Sequence, residues 1–160
     1  MKKCVYPGSF DPISNGHLDI IKRASKIFDE VHIVVASNMF KTSSFTIDER
    51  IEMIKASTAN LENVVVTSYD GLVVSYCKEN KINVIIRGMR NYSDYEQEFS
   101  LFQYNKDIDS SVETFILLPS SKNQFVSSSA VKELVKYGLD ISRYVPKPIV
   151  EKVIEKLRDN

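Results

Sequence analysis

The sequence predicts an α/β protein, a five-stranded parallel sheet with helices on both faces. Three observations predict it. Short apolar runs rich in β-branched residues alternate along the chain with amphipathic segments of helical period, the pattern of strands joined by helical crossovers. The central run, Val31–Ser37 (VHIVVAS), is nearly all apolar rather than apolar at every second position, as a strand covered on both faces should be. The residues richest in chemistry follow the runs, where an open α/β sheet keeps its ligand crevice.

Each element has its own signal. Lys3–Tyr6 is a short first strand. His17–Phe28 follows as a helix, with Leu18, Ile21, Ala24, Ile27 and Phe28 on one face. Val31–Ser37 is the second strand. Thr46-Ile47-Asp48-Glu49 has the form of a capping box and opens a helix to Ser57, with Ile47, Ile51 and Ile54 as its buried stripe. Asn63–Thr67 is the third strand, Leu72–Asn80 a short helix, and Asn83–Arg87 the fourth strand. Ser93-Asp94-Tyr95-Glu96 reads as a second capping box, opening a helix to about Lys106. Glu113–Leu118 is the fifth strand. Ser128–Tyr137 is helical and stops at Gly138, and Pro148 begins a last helix with Ile149, Val150, Val153, Ile154 and Leu157 on one face. With no internal repeat or linker-like run, residues 1–160 read as a single domain.

Composition narrows the function. Twenty-one basic residues balance 21 acidic ones, so there is no net field to attract nucleic acid or an acidic membrane. A small anion needs only a local basic cluster. Cys4 and Cys77 are isolated in apolar surroundings and read as buried, reduced thiols. Two histidines and no cysteine pair make a protein-held zinc site improbable. There is no signal-peptide pattern at the N-terminus and no apolar run near the roughly 18 residues a membrane span needs, so the expectation is a cytoplasmic protein.

The stretch Tyr6-Pro7-Gly8-Ser9-Phe10-Asp11-Pro12-Ile13-Ser14-Asn15-Gly16-His17 concentrates glycine, proline and histidine between the first strand and first helix. It is neither a dinucleotide fingerprint nor a P-loop. Gly8 lets the backbone turn close to a ligand, and Ser9 offers a hydroxyl and an N–H. Gly16 leaves room for a nucleotide against the helix. His17 lies in the first turn, where free N–H groups and the helix dipole favour an anion. The plain alternative is a structural turn with a solvent-facing histidine. Arg87 and Arg90 flank Gly88 at a strand end and can converge on phosphates, or stand as surface charge. Ser127, Ser128 and Ser129 open a helix. One serine suffices as a cap, and the other two leave hydroxyls for a phosphate nest. Lys41 alone reads as a solvated lysine, Glu98 as favourable charge early in a helix, and His32 as a packed strand residue.

Taken whole, Gly8-Ser9-Phe10-Asp11-Pro12-Ile13-Ser14-Asn15-Gly16-His17 resembles the signature of the HxGH nucleotidyltransferase superfamily. The tetrad Ser14-Asn15-Gly16-His17 is similar to that of the phosphopantetheine adenylyltransferase family, where Thr or Ser opens it; cytidylyltransferases and nicotinamide-nucleotide adenylyltransferases usually have His there. The likeness continues through Asn38-Met39-Phe40-Lys41 (Met39 replaces the family's proline), Asp70-Gly71-Leu72-Val73, Ile86-Arg87-Gly88-Met89-Arg90, Asp94-Tyr95-Glu96-Gln97-Glu98 and Phe125-Val126-Ser127-Ser128-Ser129-Ala130-Val131-Lys132-Glu133. The resemblance implies a Rossmann-like nucleotidyltransferase fold. It implies reversible transfer of an adenylyl group from ATP to 4′-phosphopantetheine, giving dephospho-coenzyme A and pyrophosphate, by direct in-line attack. In that reading His17 stabilises the transition state, with Lys41 and Arg90 beside it. Ser9, Phe10, Gly88, Met89, Arg90, Glu98, Asn123, Gln124, Phe125, Val126 and Ser127–Ser129 bind ATP with His17. Ser9, Lys41, Val73 and Arg87 bind the acceptor. Mg²⁺ accompanies ATP, held mainly by phosphates and water. A homohexamer and coenzyme A as a feedback inhibitor are further implications. Two other readings stay open: a nucleotidyltransferase for a different acceptor, and a non-catalytic adenine-nucleotide sensor.

Overall fold

The computed structural model describes residues 1–36 and 42–158. Five strands, β1 (Lys3–Gly8), β2 (Glu30–Ala36), β3 (Val64–Tyr69), β4 (Val84–Gly88) and β5 (Glu113–Leu117), form one parallel sheet in the order β3-β2-β1-β4-β5. The helices between them are α1 (Asn15–Ala24), α2 (Ile47–Ser57), α3 (Val73–Asn80) and α4 (Tyr92–Ile108); α5 (Ser128–Lys136) and α6 (Val150–Arg158) follow β5. The register runs Lys3 to Gly8 against Glu30 to Val35, and Val84 to Gly88 against Glu113 to Leu117. From β1 the chain steps outward to β2 and β3, then returns to the other side of β1 for β4 and β5. The order therefore reverses between β1 and β4, and a crevice opens beyond their C-terminal ends.

Alternation along the strands divides the core into two layers. Cys4, Tyr6, Ile33, Val35 and Ile86 pack with α1, α2, α5 and α6, whereas Val5, Val34 and Ile85 pack with Val74, Tyr76 and Cys77 of α3. Helices therefore cover both faces, as the sequence predicts. Cys4 and Cys77 are buried free thiols, and burial pushes them up to about 12 and about 11.

Several boundaries differ from the sequence reading. β1 runs on to Gly8. Helix α1 begins at Asn15 and ends at Ala24; Ile27 belongs to the turn beyond it and is exposed, while Phe28 still packs on the core. Ser37 lies outside the described residues. On α2 the buried positions are Arg50, Met53, Ile54 and Ser57, so the stripe is rotated from Ile47-Ile51-Ile54 and Ile47 is exposed. The Thr46–Glu49 capping box is present, with the Thr46 side chain accepting from the Glu49 N–H and Glu49 accepting from the Thr46 N–H. Helix α4, however, is capped at Asn91 rather than at Ser93. Asn91 accepts from the Asp94 N–H at 3.0 Å, and the Asp94 carboxylate accepts from the Arg90 N–H at 2.9 Å. Gly138 adopts a φ of +70° beyond α5, a conformation that suits glycine. His32 is packed, between Tyr76 and Glu30.

Candidate active site

The crevice at the β1/β4 switch is a polar cleft of about 310 Å³. Its sides come from the loop after β1 and the first turns of α1, from the residues after β4 with the facing side of α4, and from the segment leading into α5. The cleft gathers Ser9, His17, Arg87, Gly88, Arg90, Glu98, Asn123, Val126 and Ser127–Ser129. Phe10 lies behind it, 1% exposed, and Phe125 points outward, 85% exposed. Met89 and Gln124 are not on its wall, although the Met89 N–H joins β5 through the Leu117 carbonyl. Lys41 lies outside the described residues.

His17 is held by an unusual cap. Ser14 is the N-cap of α1, and its hydroxyl accepts from the His17 N–H at 3.3 Å. In return the Ser14 N–H donates to His17 Nδ1 at 3.1 Å. The imidazole thus takes the place that Glu or Gln fills in an ordinary capping box. A backbone N–H can only donate, so Nδ1 must be the acceptor, and the proton of the neutral ring sits on Nε2. Burial, followed by the nearby Arg90 and Arg87 charges, lowers the imidazole to about 4. At neutral pH the cleft is therefore lined by a neutral histidine of fixed tautomer whose Nε2–H is a donor. The ring is steadied edge-on by Phe10 at a centroid distance of 5.0 Å, and Phe10 meets Tyr6 at 5.5 Å.

Gly16 borders the cleft and has a second use that the sequence does not show. A side-chain carbon there would come within 3.3 Å of the Val126 carbonyl oxygen and 3.6 Å of that of Asn123. The bare backbone lets α1 meet the segment before α5, which closes one end of the cleft.

The loop after β1 is fastened on several sides. Buried Asp11 accepts from the N–H groups of Ser44 and Phe45, at 3.0 and 2.9 Å, and from Lys132 of α5. Burial pushes this carboxyl up, but the Lys132 ammonium and the two N–H groups outweigh it and hold it below the usual carboxylate range. Ser128 donates to the Pro12 carbonyl at 2.8 Å. Asn15 reaches the Arg143 and Val145 carbonyls. Of the three serines, Ser127 caps α5 by accepting from the Ala130 N–H, Ser128 ties down the loop, and Ser129 is exposed. Lys132 therefore serves the loop through Asp11. Sequence reasoning passed over Asp11, Asn15 and Arg50, whose partners lie far away in the chain.

The opposite wall carries paired charges. Arg87 grips Glu98 through two bonds of 2.7 Å and donates to the Pro7 carbonyl at 3.2 Å. Three of its five N–H donors are thus engaged. Arg90 is held to Asp94 by its backbone N–H and its guanidinium. Arg87 and Glu98 also border a second, mainly apolar cleft of about 210 Å³, reached by Val73 with Gly71, Leu72, Leu101 and Asn105. Thr114 lies at its edge, and its Oγ1 is a buried oxygen with no partner among the described residues.

Comparison with known proteins agrees with this geometry. Residues 5–134 match the cytidylyltransferase-like family. The chain is 46% identical to a phosphopantetheine adenylyltransferase of Clostridium beijerinckii over 157 residues, covering 98% of this chain and 99% of that one. It is 47% identical to one of Staphylococcus carnosus, with 96% of both chains covered. A crystal structure from Vibrio parahaemolyticus, assigned as a nicotinate-nucleotide adenylyltransferase, superposes with a TM-score of 0.76 at 20% identity, over 100% of this chain and 98% of that one, and so shares the fold. A nucleotidyltransferase sheet, a histidine on the first helix beside two arginines, and relatives matched from end to end lead to one assignment: the chain belongs to the phosphopantetheine adenylyltransferase family of the cytidylyltransferase-like proteins.

Proposed function

We infer that the protein transfers an adenylyl group reversibly from ATP to 4′-phosphopantetheine, forming dephospho-coenzyme A and pyrophosphate. One observation carries the reading: a polar cleft lined by a neutral imidazole donor meets an apolar cleft at a shared arginine, Arg87. Such a pair suits two phosphate-bearing substrates, one of which has a long, largely apolar arm.

The acceptor's phosphate oxygen attacks the α-phosphorus in line, and the bond to the pyrophosphate oxygen breaks. The nucleophile is already an anion, so no general base is needed. The barrier is lowered by orientation and by donors aimed at the developing charge. His17 donates Nε2–H to a non-bridging α-phosphate oxygen. Arg87, with its two remaining donors, and Lys41 hold the acceptor phosphate. Arg90, Ser9 and the start of α5 hold the β- and γ-phosphates, and Gly88, Glu98, Asn123 and Val126 border the nucleotide. Val73 and the turn before it line the arm, and the orphan Thr114 hydroxyl is available to one of its amides. Mg²⁺ would be held by the ATP phosphates and water, and would offset their charge. The carboxylates of Asp94 and Glu98 are each engaged by an arginine, and among the described residues no three His, Cys, Asp or Glu side chains cluster to hold a metal.

A homohexamer belongs to the same proposal. It is supported by the exposed apolar side chains of α4 and β5, including Phe99, Leu101, Tyr104, Phe115 and Ile116. Coenzyme A shares the product's arm and competes for the second cleft as an inhibitor. Buried reduced thiols fit a cytoplasmic setting, and among the described residues no helix is long and apolar enough to cross a membrane. The test pairs ATP or CTP with 4′-phosphopantetheine, nicotinamide mononucleotide and a sugar-alcohol phosphate, and measures pyrophosphate. Release with ATP and phosphopantetheine alone is expected. Release only with another pair means a different acceptor, and none with any pair means a sensor.

A further inference from the structure

We propose that Arg50 is a positioning residue of the nucleotide cleft, fixing the Ser9–Phe10 peptide and, through the Phe10 ring, the imidazole of His17. This rests on the adenylyl-transfer reading above only for its kinetic consequence. Arg50 belongs to α2, which contributes no residue to the wall of the cleft. Its exposure is 4%, and among the described residues no carboxylate lies within ion-pair distance of it. A buried guanidinium without an acid must find its compensation elsewhere. Arg50 finds it in backbone oxygens: Nη1 donates to the Ser9 carbonyl at 2.9 Å and Nε to the Thr46 carbonyl at 3.3 Å.

The Ser9 bond acts on the site. In a trans peptide the C=O and N–H point in opposite directions, so drawing the Ser9 carbonyl toward α2 turns the Phe10 N–H away from it. Phe10 follows with a φ of +47°, a left-handed conformation that a bulky residue keeps only when its surroundings hold it there. That conformation sets the Phe10 ring between Tyr6 and His17, edge-on to the imidazole. One guanidinium thus joins the start of α2 to the residue behind His17. The chain of contacts is Arg50, Ser9 carbonyl, Phe10 ring, His17 ring.

The test compares Arg50→Met and Arg50→Lys with the wild type. Arg50→Met is expected to lower kcat about 10- to 100-fold per folded molecule, with a smaller change in KM for ATP, because displacement of a transition-state donor acts on the chemical step. Arg50→Lys keeps a donor for one carbonyl and is expected to fall between the two. NMR of the His17 ring nitrogens supplies the second readout: the Nε2–H tautomer signal and the acceptor shift of Nδ1 should move in both variants. A lowered melting temperature with kcat and ring signals unchanged would overturn the proposal, and so would a fall in kcat with the ring signals unmoved. If Arg50→Met does not fold, Arg50→Lys decides on the same two readouts. The ring signals need no substrate, so an inactive wild type defeats the adenylyl-transfer reading and still leaves the link between Arg50 and His17 decided.

Discussion

The loop after β1 and the helix after β4 face each other across the cleft and are held in different ways. On the first side, Ser9, Asp11, Pro12 and Asn15 are bonded to α2, to the segment before it, to α5 and to the chain before α6. On the second, α4 runs for 17 residues and buries only Glu98, while Tyr95, Phe99, Leu101, Tyr104 and Ile108 stay exposed. Its hold on the cleft is the Arg87–Glu98 pair, supported by Arg90 and Asp94. The neutral donor thus sits on the wall built from the protein's own core. The arginines sit on the wall tied by arginine–carboxylate pairs that border the cleft, and an arriving phosphate competes for those ties. The difference suggests a division of labour between fixed geometry for the chemical step and adjustable charge for binding.

The sharpest way to break that division is at His17. Removing one preorganised donor from a developing oxyanion costs on the order of 10²–10³ in rate. His17→Ala should therefore lower kcat by about that factor, with a much smaller change in ATP affinity, as steady-state kinetics and nucleotide titration can show. Near-normal turnover would remove the donor role. The next effects separate the walls. Asp11→Asn leaves Lys132 without its partner and one of two buried N–H groups poorly matched, at a cost of about 2–3 kcal/mol. In a protein of this size that lowers the melting temperature by roughly 5–10 °C. Glu98→Gln keeps a hydrogen bond but loses the charge that orients Arg87. It should reduce kcat/KM for the acceptor about tenfold, roughly 1.4 kcal/mol of transition-state binding, with a smaller thermal shift than Asp11→Asn. A larger thermal loss in Glu98→Gln would reverse the comparison.

The same contrast explains what could be read in advance. Strands, helices and their order follow from local periodicity, and the Thr46–Glu49 cap from a four-residue pattern. The α4 cap misleads because two overlapping patterns compete, Asn91 to Asp94 and Ser93 to Glu96, and the structure uses the first, with Asp94 also bonded to Arg90. His17 stands out by its setting, but its capping role does not, since a histidine replaces the usual Glu or Gln. Arg50 was hidden by the helical stripe: Ile47 looks like the inward residue, whereas the chain turns α2 so that Arg50 reaches Ser9, 41 residues away. The pairing of Asp11 with Lys132 spans 121 residues, and no local rule reports it. The side of the cleft fixed by distant contacts is therefore the one the sequence describes least.

The mildest prediction isolates the cap itself. The imidazole titrates at about 4 in the folded protein and near 6.5 when unfolded. Between those values the unfolded chain binds a proton that the folded chain refuses, so stability rises with pH across the window and is lost as pH falls from about 6.5 toward 4. Protonation also removes the Nδ1 lone pair, so the Ser14 N–H loses its acceptor and the reciprocal cap opens. The loss between pH 7 and pH 6 is under about 1 kcal/mol and steepens below that. His17→Gln is the right comparison, because glutamine can keep a capping box and does not titrate. Asp11, whose carboxyl is also lowered, contributes equally to both proteins and cancels in the difference. Urea denaturation of the pair at pH 7, 6 and 5 should show the wild type losing ground to His17→Gln as pH falls. A difference that stays constant across the three would mean the ring carries its proton on folding, and the fixed neutral donor would have to be abandoned.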